Sequence, residues 1–221
     1  MSEKSHPALS NDQIASAVTP FQVQLSTGQI AQIREYVRLL LKWNQSVSLT
    51  SVVDPMEIVA RHFGESMFIS CLIPVQNCRL ADLGSGAGFP GLALKIVAPT
   101  LRIKLVESNR KKCAFLSEVA RSLGMKDVEV MPVRFNEVRT PCDFVEIVTA
   151  RAVGGFPEIL HWAKGALAPR GHLALWLGGE DTSKVSSTPG WIWQPAVKIP
   201  DSQRRFVLTG RPMPAEQPSR P

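Results

Sequence analysis

Residues 81 to 91 read ADLGSGAGFPG, four glycines and a proline set directly behind a short apolar run and an aspartate. Glycines at this density permit positive φ and let backbone come close to a ligand, at a cost in stability when there is none. Two frames overlap in the loop. Gly86, Gly88 and Gly91 give G-x-G-x-x-G, while Asp82, Gly84, Gly86 and Gly88 give acidic-x-G-x-G-x-G. The first suits a diphosphate, whose charge is answered by backbone N–H groups and a helix N-terminus. The second puts a carboxylate beside the ligand, which repels an anion and attracts a cation.

The pattern alone does not choose between the ligands. A nicotinamide dinucleotide brings a diphosphate; S-adenosylmethionine brings a sulfonium and an amino group, with no phosphate. Asp82 favours the second. Glu107, ending the run LRIKLVES 19 positions beyond Gly88, is placed to accept hydrogen bonds from ribose hydroxyls of either cofactor. Arg151 follows the run CDFVEIVTA, where a guanidinium can hold a phosphate or a guanine edge. Arg110, Lys111 and Lys112 open a helix near the same end, as a track for RNA phosphate or as a solvated face. Cys142 follows Pro141 and offers a nucleophile, but it begins its strand at the edge away from the ligand and reads as packing.

These groups need a scaffold. Residues 1 to 25 show no sustained period and read as a loosely ordered arm. Ser26 and Gln29 form a capping box for a helix carrying Ile30, Ile33, Val37, Leu40 and Leu41 on one side. A second helix starts at Asp54, with Pro55 in its first turn and Glu57 completing a box. From residue 78 strands and helices alternate: CRLADLG, then FPGLALKIVAP, LRIKLVES, a helix capped by Asn109 and stopped by Gly124, DVEVMP, CDFVEIVTA, a helix opened near Pro157, and GHLALWLGG. That order implies an α/β fold with a mostly parallel sheet and helices on both faces. A strand pair around WIWQPAVKI and RRFVLTG closes the domain. The expected divisions are an arm over 1–25, a helical extension over 26–77, a core over 78–210 and a Pro-rich, disordered tail over 211–221.

Composition agrees with one globular unit: 221 residues, 44% hydrophobic, with formal net charge +6. A basic surface attracts polyanions, nucleic acid among them. The four cysteines, Cys71, Cys78, Cys113 and Cys142, lack metal-binding spacing and read as buried thiols of a reducing compartment, with no metal. MSEKSHPALS has no apolar stretch for a leader and no run is long enough to span a bilayer, so a cytoplasmic place is expected. No heptad run is present, and monomer is the default.

The stretch LLLKWNQSVSLTSVVDPMEIVARHFGES, followed by DLGSGAGFPGLALKIVAP, LVESNRKKCAFL and TARAV, resembles the bacterial small-subunit ribosomal RNA guanine-N7 methyltransferases of the RsmG or GidB type. The resemblance implies a Rossmann-like class I methyltransferase fold, S-adenosylmethionine as donor and guanine N7 of 16S rRNA, free or in the small subunit, as acceptor. It implies a donor pocket of Asp82, Gly84, Gly86, Gly88, Phe89, Glu107, Phe135, Asn136 and Arg151. Arg61, His62 and Ser66 match its second-helix motif, and Arg151 and His62 are the implied catalytic residues. Guanine N7 presents an unprotonated lone pair, so the chemistry needs alignment and no general base.

Three features depart from the family pattern. The lysine of A-x-K-G is missing from ALWLGGE, Glu65-Ser66 replaces D-S, and little room remains for a late helix before WIWQP. Two other readings therefore stand beside the methyltransferase: an RNA-binding or ribosome-assembly protein with weakened turnover on the same fold, and an NAD-dependent oxidoreductase.

Overall fold

A computed structural model describes residues 9–138 and 144–214. The chain opens with α1 (Asn11–Val18), whose Ser10 and Gln13 form a reciprocal capping box. A short 3₁₀ turn over Thr19–Phe21 follows. The expected loose arm is thus folded from residue 9 onward, because Ile14, Val18, Phe21 and Val23 bury against later helices. These apolar positions are too few to show a period in sequence, and tertiary burial orders them.

Helix α2 (Thr27–Asn44) starts on the expected box of Ser26 and Gln29 and buries Ile30, Ile33, Tyr36, Val37, Leu39 and Leu40. The next helical stretch is not one regular helix. It runs as α3 (Pro55–Ile58), a π-helical segment over Val59–Gly64, α4 (Glu65–Met67) and a 3₁₀ turn over Phe68–Cys71. Asp54 caps it through the Glu57 N–H, but Glu57 makes no reciprocal bond and pairs instead with Arg61 at 2.5 Å.

The alternating region follows: β1 (Arg79–Leu83), α5 (Gly91–Val97), β2 (Arg102–Val106), α6 (Arg110–Ser122), β3 (Val128–Met131), β4 (Val145–Arg151), α7 (Phe156–Ala166) and β5 (Leu167–Gly178). After it come α8 (Gly179–Ser186), β6 (Trp191–Trp193), β7 (Val197–Lys198) and β8 (Arg205–Pro212). Helix α8 occupies the segment that looked too short for a late helix; eight residues suffice. Strand β8 includes Arg211 and Pro212, which the expected division places in the tail; residues 215–221 of that tail lie outside the described residues.

Strand order is β3-β2-β1-β4-β5-β8-β6, with β7 on β8. The first five strands are mutually parallel and β8 is antiparallel to β5. Successive strand residues face opposite layers, as period two requires. Leu80 and Ile147 belong to a core under α1, α2, α5 and α6, whereas Ala81 and Val148 belong to one under α7 and Val185 of α8. The chain passes from β1 outward to β3, then returns to β4 on the other side of β1. That reversal opens a crevice at the carboxyl ends of β1 and β4.

Cysteines correct one expectation. Cys113 is buried, but Cys71 is exposed and Cys78 half-buried; Cys142 lies outside the described residues. Among the described residues no group of three or more His, Cys, Asp or Glu side chains could hold a metal ion, and no helix is long and apolar enough to cross a membrane.

Candidate functional site

The glycine loop leaves β1 at the crevice. Six of its N–H groups are committed within the chain. Gly84 and Ser85 donate to the Val106 carbonyl at 2.8 and 3.1 Å, and Gly88 and Phe89 donate to the Ser85 carbonyl at 2.7 and 3.3 Å. Gly86 donates to Glu107 Oε2 at 3.0 Å, and Gly91, the first residue of α5, donates to Asp82 Oδ2 at 3.2 Å. A diphosphate cradle needs such donors free and an open helix N-terminus. Here six donors are spent and a carboxylate sits on the helix start.

Most of these glycines serve the chain's own packing. A Cβ at Gly88, where φ is +87°, would lie 2.1 Å from the Tyr36 hydroxyl oxygen; at Gly84 it would lie 2.6 Å from Val153, and at Gly91 2.7 Å from Leu105. Gly86 differs. Its φ of +55° requires the left-handed region, but the nearest atom to an added Cβ is 3.7 Å away. The room for a ligand is therefore at Gly86.

Asp82 lies beneath the loop, not at its surface. It is 1% exposed, and it accepts from Gly91 N and, through Oδ1, from Thr149 Oγ1 at 2.7 Å. The parallel register that sets Asp82 against Thr149 makes this bond. Burial pushes its carboxyl up to about 6 despite these donors. The sequence expectation of direct contact between Asp82 and a cation is thus corrected: the side chain braces the loop and the start of α5.

Glu107 ends beside β2 with both oxygens anchored, Oε2 by Gly86 N and Oε1 by Asn109 N at 2.8 Å. Each oxygen keeps a second lone pair for a hydroxyl donor. Phe135 and Asn136 lie in a short 3₁₀ turn after β3, half-buried and exposed respectively. Arg110 and Lys111 are exposed where Asn109 caps α6. A carboxylate held ready for hydroxyls, an open glycine, an aromatic ring and an amide fit an adenosine-bearing group without a phosphate.

Phe89 is not free to line a pocket. Its ring is buried, stacked between His62 (centroids 5.0 Å apart) and Tyr36 (5.3 Å), with Phe63 edge-on at 5.0 Å. The sole tyrosine of the chain, Tyr36, donates to the Ala87 carbonyl at 2.6 Å. Its position on the apolar stripe of α2 gave no sign of this second task. His62 Nε2 shares a hydrogen bond with Thr50 Oγ1 at 2.8 Å. Burial, then the Arg151 and Arg61 charges, push the imidazole down to about 3, so it is neutral near pH 7.

Arg151 is turned inward. Its guanidinium donates to the carbonyls of Arg61 (2.7 Å) and His62 (3.3 Å), to Ser66 Oγ (2.9 Å) and to Glu65 Oε2 (3.2 Å). The expected grip on a phosphate or base is replaced by a clamp that joins the end of β4 to the π segment. Glu65, 2% exposed, also accepts from Arg205 at 2.6 Å, and its carbonyl accepts from Trp176 Nε1 at 2.9 Å. Thr149 and Arg205 carried no motif and were missed in sequence. A concavity of about 340 Å³ lined by Arg79, Arg102, Lys104, Asp127 and Glu129 opens at the amino ends of the strands, across the sheet from this site.

Fold and site together define a class I methyltransferase architecture. Solved structures support that class. "Crystal structure of a SAM dependent methyltransferase from Aquifex aeolicus" superposes with a TM-score of 0.59 at 17% identity, over 71% of this chain and 93% of that one. TrmN from Thermus thermophilus superposes at 0.58 and 17% identity, over 70% and 53%. The chain belongs to the rRNA small subunit methyltransferase G family, whose model matches residues 29–189. Named relatives share the description ribosomal RNA small subunit methyltransferase G. The protein of Lactococcus lactis subsp. lactis is 30% identical over 89% of this chain and 88% of its own length. That of Xylella fastidiosa is 37% identical over 77% and 79%, and that of Acetivibrio thermocellus 39% over 64% and 60%, so the latter match spans less than two thirds of its relative.

Proposed function

We propose that this chain is an S-adenosylmethionine-dependent methyltransferase that modifies N7 of a guanine in small-subunit ribosomal RNA, in the cytoplasm and without a metal. The observation that carries the reading is the internally bonded loop: six N–H groups spent within the chain and Asp82 seated on α5 disfavour a diphosphate there. The oxidoreductase frame of the glycines loses its physical basis there.

When bound, the donor supplies a methyl group on a positively charged sulfur. Glu107, oriented by Gly86 and Asn109, accepts ribose hydroxyls through its remaining lone pairs. Phe135 and Asn136 flank the base of the donor. Gly86 gives clearance, while Asp82, Tyr36 and Gly88 keep the loop in one conformation. The acceptor nitrogen needs no deprotonation, and His62, neutral and bonded to Thr50, is not called on as a base. Arg151 acts as a positioning residue, fixing residues 61–66 beside the crevice. Rate then comes from alignment of a lone pair with the methyl carbon.

The test has two arms. Tritium from methyl-labelled donor is expected to enter 16S rRNA or isolated small subunits at a guanine, and S-adenosylhomocysteine is expected to bind with micromolar affinity. Micromolar affinity for NAD with none for S-adenosylhomocysteine would overturn the assignment.

A further inference from the structure

A basic hairpin at the carboxyl edge of the sheet adjoins the site just described. Strand pairing sets Arg205, the first residue of β8, opposite Gly178 at the end of β5. Arg151, at the end of β4, pairs with Trp176 of β5, so the two arginines stand on either side of β5 at the same edge. Glu65, over Trp176, is clasped by both guanidiniums. One carboxylate thus answers two arginines. The Arg205 side chain keeps 41% of its surface exposed beyond that contact.

The turn that delivers Arg205 is closed by three hydrogen bonds. Ile199 donates to the Arg205 carbonyl at 3.0 Å, Ser202 donates to the Ile199 carbonyl at 3.2 Å, and Arg205 N donates to the buried Ser202 Oγ at 3.0 Å. Arg204 is exposed and forms no ion pair among the described residues. Residues 197–205 carry Lys198, Arg204 and Arg205 against one carboxylate in the same segment, Asp201, which is exposed in the turn. Glu180 and Asp181 open α8 just after Gly178 and bound the patch on that side.

We infer that the β7–β8 hairpin, through Arg204 and Arg205, holds the phosphate backbone of the acceptor RNA beside the transfer site. This rests on the methyltransferase reading above. Two adjacent guanidiniums on a fixed turn, at the edge where the acceptor must enter, match a chain of phosphates that carries charge on both sides of the target base. Arg205 doubles as a tie to Glu65, so the hairpin and the π segment are set relative to one another before RNA arrives.

The experiment measures the Kd of full-length protein for a 16S rRNA fragment across a series of KCl concentrations, for wild type, Arg204→Gln, Arg205→Gln and, as a remote control, Arg102→Gln. Removing one phosphate contact lowers the slope of log K against log salt by roughly 0.7 to 0.9 and weakens binding on the order of threefold to tenfold. Both hairpin variants are expected to show this, with KM for RNA raised; Arg204→Gln is expected to hold kcat and S-adenosylhomocysteine affinity, and Arg102→Gln is expected to keep the wild-type slope. Arg204 forms no ion pair among the described residues, so its variant reports on RNA even where Arg205→Gln loosens the fold. Wild-type slopes in both hairpin variants, or the same fall in Arg102→Gln, overturn the hairpin's role alone. Wild-type protein that neither binds nor methylates the RNA overturns the underlying reading instead.

Discussion

Asp82 and His62 are both buried and both pushed away from their ordinary titration, in directions that oppose one another as the pH changes. Asp82 titrates near 6 in the folded chain against an ordinary 3.8, so between those values the unfolded chain has lost a proton that the folded chain keeps. Its contribution to stability therefore falls as the pH rises through that window. His62 titrates near 3 against 6.5, and between those values the unfolded chain binds a proton that the folded chain refuses. Its contribution rises with pH and is complete above 6.5. The wider histidine gap dominates, at about 1.4 kcal/mol for each pH unit between the two values. Urea denaturation of His62→Gln beside wild type is expected to show a stability difference that shifts in favour of the variant by on the order of 3 kcal/mol from pH 7 to pH 4. A constant difference across that range would remove the buried, neutral histidine from the account. None of this was legible in sequence: the spacing exposed Asp82 and the glycines, but whether a carboxylate points at a ligand or at its own helix depends on partners such as Thr149, 67 residues away.

The helical stretch from Pro55 to Cys71 shows how an element can be right in place and wrong in kind. Its start was legible from Asp54 and Pro55, because capping is a local matter. Its π segment was not, because the carbonyls of Arg61 and His62 are satisfied by an arginine some 90 residues later. Arg151→Ala removes a donor from each of those carbonyls and from one oxygen of Glu65, and is expected to cost about 3 kcal/mol, near the low end for a broken buried pair because Arg205 still neutralises Glu65. Arg151→Lys restores charge but not the forked geometry, and should recover part of that loss. Denaturant midpoints decide: an unchanged midpoint in Arg151→Ala would leave the clamp without energetic weight. Strands β1 to β5 were legible as apolar runs between glycines and caps. Helix α8 was not, since its polar sequence buries only Val185 and carries little periodic signal.

At the scale of the whole molecule, the N-terminal residues are joined to the site by packing. An added Cβ on Gly64 would lie 2.3 Å from the Phe21 ring, so the 3₁₀ turn after α1 lies directly against the π segment that carries His62. Phe21→Ala empties that space and is expected to destabilise the fold by about 3 to 5 kcal/mol, lowering Tm and loosening the crevice together. A Tm within a degree of wild type would show the arm to be an accessory. The fold class was legible because alternation of strands and helices constrains topology; the arm's burial was not, because it depends on surfaces that exist only once the sheet has formed. The shared carboxylate of Glu65 has a further consequence for how the protein is made. Its two guanidinium partners are translated 86 and 140 residues after it. At ordinary elongation speeds of about 5 to 20 residues per second, the second emerges roughly seven to thirty seconds later. Until then the nascent chain holds an acidic group that it cannot bury at full neutralisation, so the π segment can dock in its final form only after the last strand has left the ribosome.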